Sequence, residues 1–219
     1  MSIALSLGNN LTTGGVFKAS AVNNTSCNNI TDFAGIAGGG TLILLSTQTA
    51  SASASISFTS GIDSTYDEYV FKYINIHPSS AQYFTFQGST DGGSNYGVTI
   101  TSTLFDAYHL ENDAGSAIRY LTSGDLAQST SFQPLTNVTP SIDNDGSYSG
   151  YLHLFNPSST TYVKHFIGTL NVMTDNPASD NTFLAGYFNT TSAINAIQFK
   201  FASGNIDDGI IKMYGVAKA

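Results

Sequence analysis

Charged residues are scarce in this sequence. Asp, Glu, Lys and Arg fill 10% of its 219 positions, against about a quarter in ordinary soluble domains. Helices in water usually carry exposed Glu, Lys and Arg, so a chain short of them is not expected to be helical. Basic residues are scarcest: Lys+Arg number 7 against 15 Asp+Glu, for a formal net charge of −8. With no basic stripe, nucleic acid is not an expected partner. Tryptophan is absent, which removes the largest flat platform on which a sugar ring could stack. Cys27 is alone, so an intramolecular disulfide is excluded and the compartment is not diagnosed. No apolar run has the length needed to span a bilayer, so no membrane partner is expected. The opening "MSIALSLGNN" lacks the basic residues and the apolar length of a signal peptide. The expectation is a protein made soluble, inside the cell that produces it.

Ser, Thr, Asn and Gly take the place of the missing charges, alongside 12 Tyr, 14 Phe and 21 Gly. That mixture suits strands joined by tight turns, with a surface hydrated by hydroxyls and amides. A compact fold of this length buries roughly 70% of its unfolded surface, so it needs neither disulfide nor metal to be stable. No cofactor is implied.

Residues 1–40 differ from the rest. They are rich in Asn, Gly, Ser and Thr, and their apolar residues are isolated rather than periodic. Alone they bury too little apolar surface to offset the entropy of ordering. One reading is an extended arm that orders against a partner through Ile3, Leu5, Leu7, Val16 and Phe17. The other is a terminus without a partner, and both stand at this stage. The "AGGG" at 37–40 reads as a hinge into a second unit, residues 41–219.

From Thr41 onward, strand signals follow one another. "YDEYVFKYINIHP" sets Tyr69, Phe71 and Tyr73 on one face and Val70, Ile74 and Ile76 on the other, which reads as a strand covered on both sides. In "IQFKF", Ile197, Phe199 and Phe201 point inward while Gln198 and Lys200 face water. About ten or eleven strands emerge, separated by Gly, Asn, Asp and Pro clusters. The only helical signal is one turn in "SGDLAQ" (123–128). The expected fold is all-β: an antiparallel two-sheet sandwich, jelly-roll-like, with an extended N-terminal arm.

Chemical motifs are few. In "SIDNDGSYSG", Asp143, Asp145 and Ser147 match the first, third and fifth places of a calcium loop. Gly146 comes two places early, however, and the twelfth place holds Leu154 rather than Glu. Asp-Gly before a strand is a turn signal. "NIDDG" (205–209) reads in the same way, as a hairpin loop between two strands. His109, Glu111 and Asp113 in "HLEND" share one strand face as a conceivable metal trio, but without a His-x-His pair they read as a solvated loop edge. His77, His153 and His165 read as ordinary strand or edge residues. No nucleophile elbow or phosphate loop is present: the centre of "GSYSG" is Tyr148. Catalytic, cofactor and metal residues are therefore all expected to be none. Fifteen acids still admit a glycosidase pair, because separation in space decides that question. Tyr148, Tyr151 and Tyr162 are the candidates for stacking on a sugar, with loops 91–97 and 174–182 as a contact surface.

The stretches "LLSTQTASASASISFTSGIDSTYDEYVFKYINIHP", "LFNPSSTTYVKHFIG" and "FKFASGNIDDGIIKMYGVA" resemble small structural proteins of marine tailed bacteriophages. The resemblance runs from about residue 41 to 217. It implies a non-enzymatic virion component, a capsid decoration, head fibre or tail protein, made in the infected cytoplasm. It also implies other virion proteins as partners and a symmetric homo-oligomer such as a trimer. It carries over no catalytic residue. The alternative is a tail fibre or tip module that binds a receptor or glycan on the host surface.

Overall fold

The computed structural model describes residues 42–217. Residues 1–40, with Ile3, Leu5, Leu7, Val16 and Phe17, and the expected boundary at 40/41 lie outside the described residues. Twelve strands and no helix are found among those described. All strand pairings are antiparallel, in two sheets packed face to face. The strands are β1 (Leu42–Thr49), β2 (Ile56–Phe58), β3 (Glu68–Pro78), β4 (Phe84–Ser89), β5 (Ile100–Leu110) and β6 (Ser116–Tyr120), followed by β7 (Gln133–Pro134), β8 (Tyr148–Phe155), β9 (Lys164–Met173), β10 (Ala178–Phe188), β11 (Ala196–Phe201) and β12 (Ile206–Val216). The larger sheet runs β1-β12-β3-β8-β9-β10-β5-β6 and the smaller β2-β11-β4-β7.

That order is a jelly roll with two excursions. The chain folds as a ribbon of nested pairs, β1 with β12, β2 with β11, β3 with β8 and β4 with β7, and successive pairs alternate between the sheets. Contacts of β12 with β3, and of β11 with β4, close the two sheets. The hairpins β5–β6 and β9–β10 are inserted into this ribbon. Both add to the β8 edge, so the larger sheet has eight strands against four.

The two inner faces meet in an aromatic core. Phe199 of β11 lies at its centre, with ring centroids 5.4 Å from Phe71, 5.3 Å from Tyr73 and 6.0 Å from Phe84. Farther along, Phe86 packs edge-on to Phe166 at 5.1 Å and to Phe188 at 6.1 Å, which carries the contact onto β9 and β10. The alternation read in "IQFKF" holds: Ile197, Phe199 and Phe201 are buried, while Gln198 and Lys200 are half-buried. On the outside, Lys200 Nζ lies 4.1 Å from the centroid of the Phe132 ring.

Five expectations are corrected. Ile76 joins Tyr69, Phe71 and Tyr73 in the core instead of opposing them, because β3 carries a bulge after Tyr73 with Asn75 at φ +50°. The extra residue shifts the parity of everything after it. Opposite lies Gly209 of β12, at φ +121°, where a Cβ would sit 2.6 Å from the Asn75 carbonyl oxygen. "NIDDG" is consequently no hairpin loop. It forms the bulged start of β12, after the chain has crossed from the smaller sheet to the larger. Residues 178–182 belong to β10 rather than to a loop, and 123–128 form a turn rather than helix. Finally, Ile74 is 37% exposed, so the outer face of β3 is not fully covered.

Two stability measurements follow from this core. Phe199→Ala should cost about 3–5 kcal/mol, and Lys200→Ala less than about 1 kcal/mol; denaturant melts read both, and the reverse order would mean the facing of β11 is inverted. The hydroxyl of Tyr73 is buried and has no hydrogen-bond partner among the described residues. Tyr73→Phe should therefore raise stability by about 1–2 kcal/mol, since an unmet buried hydroxyl is lost without losing the ring.

Candidate functional site

Because the smaller sheet has only four strands, it covers only part of the inner face of β10, β5 and β6. The segments 121–139 lie over the rest, with Leu121, Leu126, Leu135 and Val138 packed against the core. Polar side chains tie them down. Gln133 accepts from Ser102 Oγ at 2.5 Å and donates to the Gly124 carbonyl at 3.0 Å, and Thr182 Oγ1 donates to Thr136 Oγ1 at 2.8 Å.

At the far end of this cover the inward positions of β5 and β10 are carboxylates. Asp106 and Asp180 are fully buried, and Arg119 of β6 bridges them. Its Nε donates to Asp106 Oδ1 at 3.0 Å, its Nη2 donates to Asp106 Oδ2, and the same Nη2 donates to Asp180 Oδ2 at 3.0 Å. The guanidinium also lies over the Tyr108 ring, 4.4 Å from its centroid. Two buried carboxylates on one guanidinium leave one negative charge without a counter-ion. Asp180 takes the shift: burial, then the hydrogen bond and charge of Asp106, push its carboxyl up to about 7 against the pull of Arg119. Its Oδ1 is buried with no hydrogen-bond partner among the described residues.

This cluster forms one wall of a cavity of about 500 Å³. Tyr83, Tyr108, Asn137 and Thr139 line it with Arg119 and Asp180, and Asp175 and Asn176 stand on its exposed rim. Arg119 is 43% exposed while both of its carboxylates are covered, so the carboxylates fix a guanidinium that the cavity can reach. The pair is unsuited to flank a glycosidic bond, because Arg119 fills the gap where that bond would lie.

The residues singled out from sequence lie elsewhere. Tyr148 is a core residue whose hydroxyl donates to the Gln82 carbonyl at 3.0 Å, while Tyr151 and Tyr162 are exposed and remote from the cavity lining. Loop 91–97 is closed on itself: Asn95 and Ser89 donate to Asp91 and hold its carboxyl down to about 2. Segment 174–182 does supply Thr174, Asp175, Asn176, Ala178 and Asp180 to the lining. Asp143 and Asp145 sit in a turn closed by Gly146 N–H to the Asp143 carbonyl at 2.8 Å. His109 pairs with Asp113 at 3.0 Å on an exposed turn. Among the described residues no three His, Cys, Asp or Glu side chains converge as a metal site, and no helix is long and apolar enough to cross a membrane. The missed signal was parity: Asp106 falls in the inward register of Ile100 and Leu104.

The chain matches no family model and no curated protein.

A second surface is the outer face of the eight-stranded sheet. One cross-strand row runs Tyr120, Phe105, Phe183, Thr169, Tyr151, Lys72 and Lys212. The rings of Phe105 and Phe183 stack at 4.9 Å with 14° between planes, open to solvent. The neighbouring row runs Ala185, Ile167, His153, Val70, Tyr214 and Leu44. Beside it Phe155, His165, Ile167 and Tyr187 line a largely apolar depression of about 490 Å³. The two rows carry no carboxylate, in a chain of net charge −8.

The Asp180 proton makes a pH prediction. The folded carboxyl holds its proton more tightly than the unfolded one, whose pKa is about 3.9. Its contribution is fully present below about pH 4 and is lost as pH rises through about 7. Asp180→Asn mimics the protonated form, so the stability of the wild type relative to Asp180→Asn should fall across that window; thermal melts giving a pH-independent difference would contradict the shared proton.

Proposed function

We propose that this protein is a non-enzymatic structural module of a bacteriophage particle, a capsid decoration, head fibre or tail component, which assembles as a symmetric homo-oligomer through the outer face of its eight-stranded sheet. The observation that carries the assembly reading is the apolar row centred on Phe105 and Phe183. Exposed apolar surface of this continuity marks an interaction site. Both ends of the sheet add to it: edge strand β1 exposes Leu42, Ile43 and Leu44, and edge strand β6 exposes Ile118 and Tyr120. Unpaired apolar edges invite association unless a partner covers them.

A second copy is the occupant that the charges favour. Copies of net charge −8 repel over most of their surface. The two rows, free of carboxylates, are where like chains can meet without burying like negative charges. Lys72 keeps its charge but is held against the sheet, its Nζ over the Tyr214 ring 5.4 Å from the centroid. The resemblance of residues 41–217 to phage structural proteins supports the particle as the setting.

Sedimentation velocity tests the assembly. The wild type should sediment as one defined oligomer, and Phe183→Glu or Ile167→Glu should convert it to a monomer that keeps the β-sheet circular dichroism of the wild type, since these side chains are 40% and 53% exposed. A monomeric wild type, or variants that associate unchanged, would contradict this reading.

A further inference from the structure

The cavity beneath β10 is not used by the assembly face, and its lining is chemically particular. Its polar groups are planar: the Arg119 guanidinium, the Asn137 and Asn176 amides and the Asp175 carboxylate, with hydroxyls at Thr139, Thr174 and Tyr83. Between them stand apolar surfaces from Tyr108, Leu110, Val138 and Ala178. Planar forks suit vicinal hydroxyls, which present two donors or acceptors at one spacing, and the apolar patches suit the C–H faces of a ring.

The charges argue for a neutral ligand. Arg119 is already engaged by the Asp106 carboxylate, and burial with the neighbouring Asp106 raises the Asp180 carboxyl well above the usual carboxylate range. The remaining charge is Asp175 on the rim, which discourages an anion, while Arg119 in the wall discourages a cation. The guanidinium is also preorganised. Its Nε and Nη2 are held from behind by two buried carboxylates, so turning its other edge to a ligand costs little further ordering.

We infer that the cavity lined by Tyr83, Tyr108, Arg119, Asn137, Thr139 and Asn176 is a binding site for a neutral saccharide, with Arg119 and the two amides addressing ring hydroxyls. Asp106 and Asp180 are positioning residues for Arg119. Asp106 lies behind the guanidinium and acts through it, while Asp180 also forms part of the wall. The inference does not rest on the assembly reading, and a monomer would bind equally well.

Saturation-transfer NMR with glucose, galactose, mannose and N-acetylglucosamine tests it, using the full chain and methylguanidinium as a cationic control. At least one sugar should give saturable transfer that the control does not displace. Asn176→Ala, on the exposed rim, should weaken that binding about tenfold, equivalent to about 1.4 kcal/mol. Thr139→Trp should abolish it by filling the cavity, with the melting temperature showing that the chain is folded. Asp180→Ala should weaken it as well, and if that variant fails to fold, the rim and filling variants still decide. Transfer to none of the four sugars, binding of methylguanidinium in their place, or sugar binding indifferent to both Asn176→Ala and Thr139→Trp would overturn the assignment.

Discussion

The contact between two aromatic inner faces, with Phe199 wedged among Phe71, Tyr73 and Phe84, holds the two sheets together and fixes where everything else lies. A jelly-roll ribbon must bring strands distant in sequence into register, and little local structure stabilises it beforehand. Large rings on both faces supply the apolar area that offsets the entropy of closing those long loops. Phe86 extends the seam to Phe166 and Phe188 and so anchors the inserted strands β9 and β10. Gly186 is part of that anchor, because a Cβ there would sit 2.6 Å from the Phe166 ring.

The unequal width of the sheets creates both functional surfaces. Eight strands against four leave part of the inner face without a partner sheet. Loop segments cover it imperfectly, and the cavity beside Arg119 is the remainder. On the other side, the same widening makes a broad flat face with little charge, broken by lysines, histidines and Glu68, whose carboxylate is hydrogen-bonded to His153. A four-plus-four sandwich would have neither. The insertions β5–β6 and β9–β10 thus create both candidate surfaces on an otherwise ordinary ribbon.

Much of the fold was legible in the sequence, because a two-residue period is robust in strands that bury one face. The parity of Ile197, Phe199 and Phe201 could be read directly. Reading failed where backbone geometry breaks the period. Nothing in "YINIHP" announces the bulge at Asn75 that turns Ile76 inward, and "NIDDG" carries turn residues because it too is bulged. The site was less legible than the fold. Asp106 and Asp180 look like surface acids until the register of β5 and β10 places both inside, and Asp180 was hidden further by a Pro-containing stretch that reads as loop. Arg119 lies in a short strand whose neighbours are all exposed, so no periodicity marks it. The outer face went unread for a related reason: its aromatics come from several strands and form a row only once they are aligned.

The proposed role as an assembling particle module is tested most directly by a cryo-EM map of the phage particle that carries this protein. The account predicts density for the jelly roll in repeated copies related by rotational symmetry, with Phe105, Phe183 and Ile167 of each copy buried against a neighbour. Absence of that density from the particle, or copies whose eight-stranded sheet faces open solvent, would contradict it.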